Sequence, residues 1–153
     1  MKTLTSCTKR YSDIPFAHRQ PAHEGHCALI HGHNWSFEFE FVAKEKDECG
    51  FVIDFGKLKP LKKWIDDKFD HALILNESDP QLTSFRQLLD PQSALKEQFA
   101  RIVTLPDCSA EGLAEYLFEQ SDIIVKELSQ ERVAVKRVTV FEDSKNSATC
   151  IAK

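Results

Sequence analysis

Four of the six histidines of this chain fall within residues 22–33, and the sharpest unit there is His31-Gly32-His33. On an extended backbone, residues two apart point to the same face, so both imidazoles can reach one ion. A third imidazole could come from His18, at the end of the preceding strand-like segment. Three neutral histidines with an open fourth position are typical of a catalytic zinc site.

Other interpretations of these histidines stay open. A His-x-His pair on a strand is a weak signal by itself, because histidines also occur on surfaces and in hydrogen-bonded core positions. A closed structural zinc site, with Cys27 as the fourth ligand, is also compatible with the spacing.

Cys27 stands four residues before His31. A thiol close to a metal or a cation is shifted toward thiolate and can serve as base or nucleophile, whereas most buried thiols are inert. Asp70-His71 is a candidate acid/base pair for Cys27, and a protease-like Cys–His pair is the competing catalytic interpretation. Inert behaviour is expected of the other cysteines, which are Cys7, Cys49, Cys108 and Cys150.

Glu142 ends a predicted strand and shares its parity with Val138 and Val140. A carboxylate on an apolar face is costly unless something donates hydrogen bonds to it. A ring with an N–H and an amino group, such as a pterin or guanine edge, would donate two. A frayed strand end with Glu142 in water is the alternative.

Period-two alternation over residues 35–43 predicts the clearest strand, with apolar residues at odd positions and mainly polar ones between them. Further strands are predicted over residues 3–11 (with 16–18 continuing after Pro15), 51–53, 132–141 and 148–152.

Asp54 can cap a helix over about residues 56–68, with Pro60 in its first turn. Ser109 opens a long helix to about Gln130. Between them, about residues 76–107 read as a partly helical insertion, with one short helix cut at Asp90-Pro91 and another over residues 95–102. The order β-β-α-(insertion)-α-β-β predicts an α+β fold, an antiparallel sheet with its helices on one face.

A chain of 153 residues that is 42% hydrophobic is expected to form one domain over residues 1–153. Its formal net charge of −4 argues against general nucleic-acid binding. Apolar runs are too short for a membrane span, and no secretory apolar segment is visible. Five scattered cysteines then favour a reducing cytoplasm.

Six motifs, in their order along essentially the whole chain, resemble the 6-pyruvoyl-tetrahydropterin synthase family: Phe16-Ala17-His18, Cys27-x-x-x-His31-Gly32-His33, Asp54-Phe55-Gly56, Asp70-His71, Ser109-Ala110-Glu111 and Phe141-Glu142. The resemblance implies the tunnelling fold, β-β-α-α-β-β. It also implies trimers whose strands close a barrel, and a homohexamer of two trimers with active sites at subunit interfaces. Closure would leave the sheet without open edges.

The three residues between Cys27 and His31, preceded by Glu24-Gly25-His26, are similar to the 6-carboxy-tetrahydropterin branch of the queuosine route. Members of the biopterin route usually have five residues there. The resemblance therefore implies a zinc lyase that converts 7,8-dihydroneopterin triphosphate to 6-carboxy-5,6,7,8-tetrahydropterin, acetaldehyde and triphosphate, without a redox cofactor. Formation of 6-pyruvoyl-tetrahydropterin, sepiapterin cleavage, and a zinc-stabilised module that binds a pterin without turnover are the alternatives.

The resemblance also implies roles for single residues. His18, His31 and His33 resemble the zinc ligands, and His23 and His26 match no ligand position. Cys27 resembles the catalytic base and His71 its acid/base partner, assisted by Asp70. Glu142 resembles the carboxylate that anchors the pterin and joins the charge relay. Ser109 and Glu111 resemble a second pterin contact, although Cys108-Ser109-Ala110-Glu111 stands where the family usually has Pro-Thr-x-Glu.

Overall fold

The computed structural model describes residues 4–88 and 100–153. Within them the chain forms six strands and three α-helices, which are, in order, β1 Thr5–His18, β2 His31–Ala43, α1 Lys59–Phe69, β3 Leu73–Asn76, α2 Leu82–Leu88, β4 Ile102–Leu105, α3 Ala110–Ser129, β5 Val133–Phe141 and β6 Ser147–Ile151. Of the expected insertion, α2 and β4 are described. The predicted break at Asp90-Pro91 and most of the helix predicted over residues 95–102 lie outside the described residues.

The six strands form one sheet in the order β4-β3-β1-β2-β5-β6. Neighbours among β1, β2, β5 and β6 pair antiparallel, whereas β3 joins β1, and β4 joins β3, in parallel. The α+β class is confirmed, but the sheet is not antiparallel throughout as expected, because β3 and β4 join it in parallel. Strands as short as β3 and β4, of four residues each, are too short to show a reliable period.

The prediction of a strand over residues 51–53 was also wrong. Val52 and Ile53 are buried, but they lie in a loop. The Asp47 carboxylate shapes this loop, because its Oδ1 accepts hydrogen bonds from the backbone N–H groups of Cys49 and Phe51. Burial of an apolar run therefore occurs here without strand pairing.

β1 runs unbroken through Pro15, and its irregularity lies earlier. Tyr11 pairs with Phe37 and Ile14 pairs with Trp35, so β1 advances three residues while β2 advances two. Asp13, in this β-bulge, has the left-handed φ of 60°. The extra residue reverses the parity of β1, so that the even-numbered end of β1, including His18, faces the same side as Tyr11.

The core lies between the sheet and the two long helices. From β2 it receives Trp35, Phe37, Phe39 and Phe41, all fully buried. α1 contributes Leu61, Ile65 and Phe69, and α3 contributes Leu113, Leu117 and Val125. No helix of the described chain is both long enough and apolar enough to cross a membrane.

The capping residues act as predicted. Ser109 Oγ accepts a hydrogen bond from the N–H of Gly112 at 3.0 Å and starts α3. The Asp54 carboxylate accepts one from Gly56 and starts a 3₁₀ turn that leads into α1. α3 ends where Gln130 takes a left-handed conformation.

Candidate active site

Strand register brings the three candidate histidines together. His18 is paired directly with His31 across β1 and β2, and His33 lies two residues further along β2. The ring centroids are 4.6 Å apart for His18 and His31, 5.0 Å for His31 and His33, and 5.6 Å for His18 and His33. One ring nitrogen from each lies within 4.8 Å of the others.

Two backbone carbonyls set the proton positions of two of these rings. His18 Nδ1 lies 2.8 Å from the Cys108 carbonyl oxygen, and His31 Nδ1 lies 2.7 Å from that of Leu29. A carbonyl only accepts, so both Nδ1 atoms must donate, and in a neutral ring the Nε2 atom then carries a lone pair. The two Nε2 atoms face each other at 3.1 Å.

Two facing lone pairs need a cation between them. A proton on His18 is disfavoured, because burial first of all, together with the neighbouring His31 and His33, lowers the pKa of His18 to about 4 despite the opposing effect of the hydrogen bond to the Cys108 carbonyl. A metal ion fits, since tetrahedral bonds of about 2.0–2.1 Å to zinc place two nitrogens roughly 3.3 Å apart.

The third histidine has a ring nitrogen without a hydrogen-bond partner among the described residues. His33 Nε2 is buried, and no described residue forms a hydrogen bond with it. Glu142 Oε1 lies 3.5 Å away, without the geometry of a hydrogen bond. An orphaned nitrogen beside two facing lone pairs is the donor set of a metal site, so the three histidines fit a bound metal ion.

A cleft of about 430 Å³ opens beside this cluster. It is lined by His18 and by four of the residues singled out in the sequence, which are Cys27, Ser109, Glu111 and Glu142. Cys27 lies half-buried in a short 3₁₀ turn, His26–Ala28, and its carbonyl accepts the N–H of Gln20 at 2.7 Å. Ser109 and Glu111 come from the start of α3.

Glu142 lies directly after β5, between this cleft and a second hollow of about 330 Å³. Its backbone N–H donates to the Asn146 carbonyl and closes the turn to β6. The carboxylate is 26% exposed and can accept hydrogen bonds from a molecule in either space.

The family described as 6-pyruvoyl tetrahydropterin synthase matches residues 7–153 of this sequence. The chain belongs to that family. A Rickettsia bellii protein named 6-carboxy-5,6,7,8-tetrahydropterin synthase is 31% identical over 140 residues, which cover 91% of this chain and 94% of the relative. A Rickettsia conorii protein of the same name is 41% identical over 80 residues, or 52% of this chain and 57% of the relative.

Solved structures share the fold of this family member. An uncharacterised protein, WS1659 from Wolinella succinogenes, superposes with a TM-score of 0.84 at 20% identity, over 99% of this chain and all of the other. The Plasmodium vivax 6-pyruvoyltetrahydropterin synthase gives 0.67 at 22% identity, over 97% and 98% of the two chains. The tunnelling fold that the resemblance implied is thereby confirmed.

Asp70 and His71 lie apart from the cleft in this family member. Asp70 Oδ1 is 2.6 Å from His71 Nδ1, and the His71 ring is 82% exposed. The His71 N–H donates to the Pro15 carbonyl at 2.8 Å, which fixes the pair at the level of Pro15 rather than of His18. Within one chain, therefore, the candidate acid/base pair does not line the cleft that contains Cys27.

The remaining cysteines, and the histidines His23 and His26, do not line the cleft. Burial raises the pKa of Cys108 to about 11, and it also raises those of Cys7 and Cys150. His23 and His26 are exposed, outside the histidine cluster.

Sequence reasoning missed four lining residues, which are Gln20, Lys145, Asn146 and Ser147. Gln20 could have been found, because it lies two residues after His18, and residues two apart point to the same side of an extended chain. The other three lie in or beside the turn after Glu142, and no pattern in the sequence marks them.

Proposed function

We propose that this protein is a zinc-dependent lyase that converts 7,8-dihydroneopterin triphosphate and one water molecule to 6-carboxy-5,6,7,8-tetrahydropterin, with release of acetaldehyde and triphosphate, in queuosine biosynthesis. The observation that carries the proposal is the single cleft lined by His18, Cys27 and Glu142. The similarity to the Rickettsia bellii protein over most of both chains supports the choice of product.

His18, His31 and His33 would hold the zinc ion through ring nitrogens that lie within 4.8 Å of one another. When bound, zinc supplies Lewis-acid polarisation of a hydroxyl oxygen on the substrate side chain. A thiol beside such a cation is shifted toward the thiolate that a base requires.

The other lining residues bind and move protons. The Glu142 carboxylate would accept the ring N–H and the amino group of the pterin, with Glu111 and Ser109 as a further contact at the start of α3. The Ser109 hydroxyl already accepts the Gly112 N–H, so it would act as a donor toward the ligand. Cys27 Sγ would remove a carbon-bound proton from the side chain, and His71, held by Asp70, would return protons to it.

His71 would reach Cys27 from a neighbouring copy of the chain. In the described residues, β1 pairs with β3 only at Ala17 and His18, so residues 5–14 have no strand partner on that side. At the opposite end of the sheet, β6 is an edge strand that pairs only with β5 among the described residues. Pairing of such edges between copies would close a ring and add the missing acid/base pair, consistent with a homohexamer of two trimers.

The β6 edge is well formed for such pairing. The hydrogen bonds from Glu142 N to Asn146 O and from Ala152 N to Lys136 O fix the alternation of the β5–β6 ladder. By that alternation the N–H of Thr149 points away from β5. Thr149 therefore offers a backbone donor to a second chain.

A product assay tests the proposal. Purified zinc-loaded protein would be incubated with 7,8-dihydroneopterin triphosphate, and the products identified by mass spectrometry. Carboxy-tetrahydropterin with acetaldehyde is the expected result. A pyruvoyl product would mean the alternative synthase reaction, and binding without consumption would mean a pterin-binding module.

The five unpaired cysteines suit the reducing cytoplasm, where we expect the protein to act.

A further inference from the structure

One ligand-orienting group in this site, the Cys108 carbonyl, belongs to a loop rather than to a strand or helix. Cys108 lies between β4 and the cap of α3 and is 90 residues from His18 in the sequence. The direction of this carbonyl decides where the His18 ring points and which of its nitrogens carries the proton. Whatever fixes the loop therefore also fixes the His18 lone pair.

Side chains hold both peptide groups that flank Cys108. The Cys108 N–H donates to Asn76 Oδ1 at 2.8 Å. The next N–H, that of Ser109, belongs to the same peptide group as the Cys108 carbonyl and donates to Asp107 Oδ1 at 2.8 Å. Neither peptide group can rotate without breaking one of these bonds.

Gln20 ties the two holding side chains together. Its Oε1 accepts from Asn76 Nδ2 at 3.1 Å, and its Nε2 donates to Asp107 Oδ1 at 3.3 Å. The Asn76 amide is thereby oriented, since its oxygen must face the Cys108 N–H and its nitrogen must face Gln20. The three side chains form one closed network around the loop.

Packing against α3 gives this network a rigid base. A Cβ at Gly112 would lie 2.5 Å from the Cβ of Asp107 and 2.7 Å from its carbonyl oxygen, so only glycine permits this approach. Asp107 therefore sits directly against the first turn of the helix, and Asn76 is anchored at the end of β3.

We propose that Asn76 and Gln20 are positioning residues of the metal site. They hold the Cys108 carbonyl where it selects the Nδ1–H tautomer of His18 and aims Nε2 toward His31, and neither belongs to the three-histidine cluster. The inference rests on the metal site of the proposed function but not on the proposed reaction. It predicts that loss of either side chain weakens metal binding although all three ligands remain.

Zinc affinity tests this directly. The dissociation constant of zinc would be measured by competition with a chromophoric chelator for wild type, Asn76→Ala, Gln20→Ala and Asn76→Asp. Partners of ligand histidines typically change metal affinity about 10–100-fold, and we expect that loss in both alanine variants. Asn76→Asp keeps the acceptor for the Cys108 N–H but loses the donor to Gln20 Oε1, so its affinity should lie between those of wild type and Asn76→Ala.

The matched control is Ser121→Ala. Ser121 is fully buried in α3, and its hydroxyl donates to the Phe118 carbonyl, so the variant loses a buried polar group outside the network. It should bind zinc as wild type does. An equal loss in this control, or alanine variants of both network residues within about threefold of wild type, would overturn the proposal, since the expected range begins near tenfold.

A second readout needs no metal. Nitrogen-15 NMR of the metal-free protein reports which nitrogen of His18 carries its proton. We expect the Nδ1–H form in wild type and a mixture of tautomers in Asn76→Ala, or in Gln20→Ala if the former does not fold. An unchanged tautomer in the folded variant would contradict the proposal, even if wild type bound no zinc. Zinc binding without the expected product would instead refute only the proposed reaction.

Discussion

Replacing His33 with leucine should affect the metal-free and the metal-loaded protein in opposite directions. His33 Nε2 is buried and unpartnered among the described residues, while the ring packs edge-on to Trp35 at 5.2 Å. A buried polar group without a partner costs about 1–3 kcal/mol, and leucine removes it while keeping an apolar contact. The His33→Leu protein without metal should therefore be as stable as wild type or more stable, by up to about 2 kcal/mol.

Metal should stabilise wild type and not the variant. A ligand that binds only the folded state at 1,000 times its dissociation constant adds about 4 kcal/mol. For a chain of this size each kcal/mol raises Tm by roughly 2–4 °C, so zinc should raise the wild-type Tm by about 8–16 °C. The variant, with one of three ligands removed, should gain only a small part of that increase.

Calorimetry with EDTA and with zinc would measure both effects. His23→Leu is the matched control, because His23 is an exposed histidine of the same segment outside the cluster, and it should show the full zinc response. The reasoning is refuted if His33→Leu without metal is clearly less stable than wild type and yet gains as much from zinc as wild type does.

Three further outcomes are expected. Cys27→Ala should keep zinc binding and lose turnover, with the exposed Cys49→Ala as control; loss of zinc would make Cys27 a ligand. Burial and the Asp66 charge raise the pKa of Tyr11 to about 12, above the ordinary value near 10. The folded state therefore keeps its full free energy of unfolding below pH 10, and this free energy falls by up to about 3 kcal/mol as the pH rises through 12. Tyr11→Phe should lack that fall in urea titrations and, since no described residue pairs with the hydroxyl, lose no stability at pH 7; a loss above about 1 kcal/mol would contradict this. Thr149→Pro removes the outward N–H of β6 and should reduce the assembly mass in light scattering, whereas Thr149→Val should not; an unchanged mass would exclude this edge from assembly.

The sequence predicted that His31 and His33 share a face because residues two apart do so on any extended backbone, and the alternation over residues 35–43 directly after them predicted a strand. His18 was harder to place, since its face depends on the bulge between Tyr11 and Ile14. A continuous alternation from Tyr11 would have turned His18 away from His31. The prediction of two separate strand pieces around Pro15 avoided that error without locating the bulge.

Cap residues were also readable, because an N-cap acts on N–H groups only two or three positions away. The hydrogen bonds that orient His18 could not be predicted from the sequence. Asn76 and Cys108 are 32 residues apart and Cys108 is 90 from His18, so their contacts exist only once β1, β3 and the loop before α3 are assembled. The parallel strands β3 and β4 were missed for a related reason, since each is too short to carry a pattern of its own.

His71 has a φ of 56°, a left-handed backbone that a residue with a Cβ adopts only at a cost of order 1–3 kcal/mol. Its N–H bond to Pro15 holds that conformation, yet the ring it presents lies almost wholly in water. Glycine at this position would relieve the strain and leave the hydrogen bond intact. On the proposed function, this strained and exposed imidazole would be used only after a second copy of the chain brings its cleft against it.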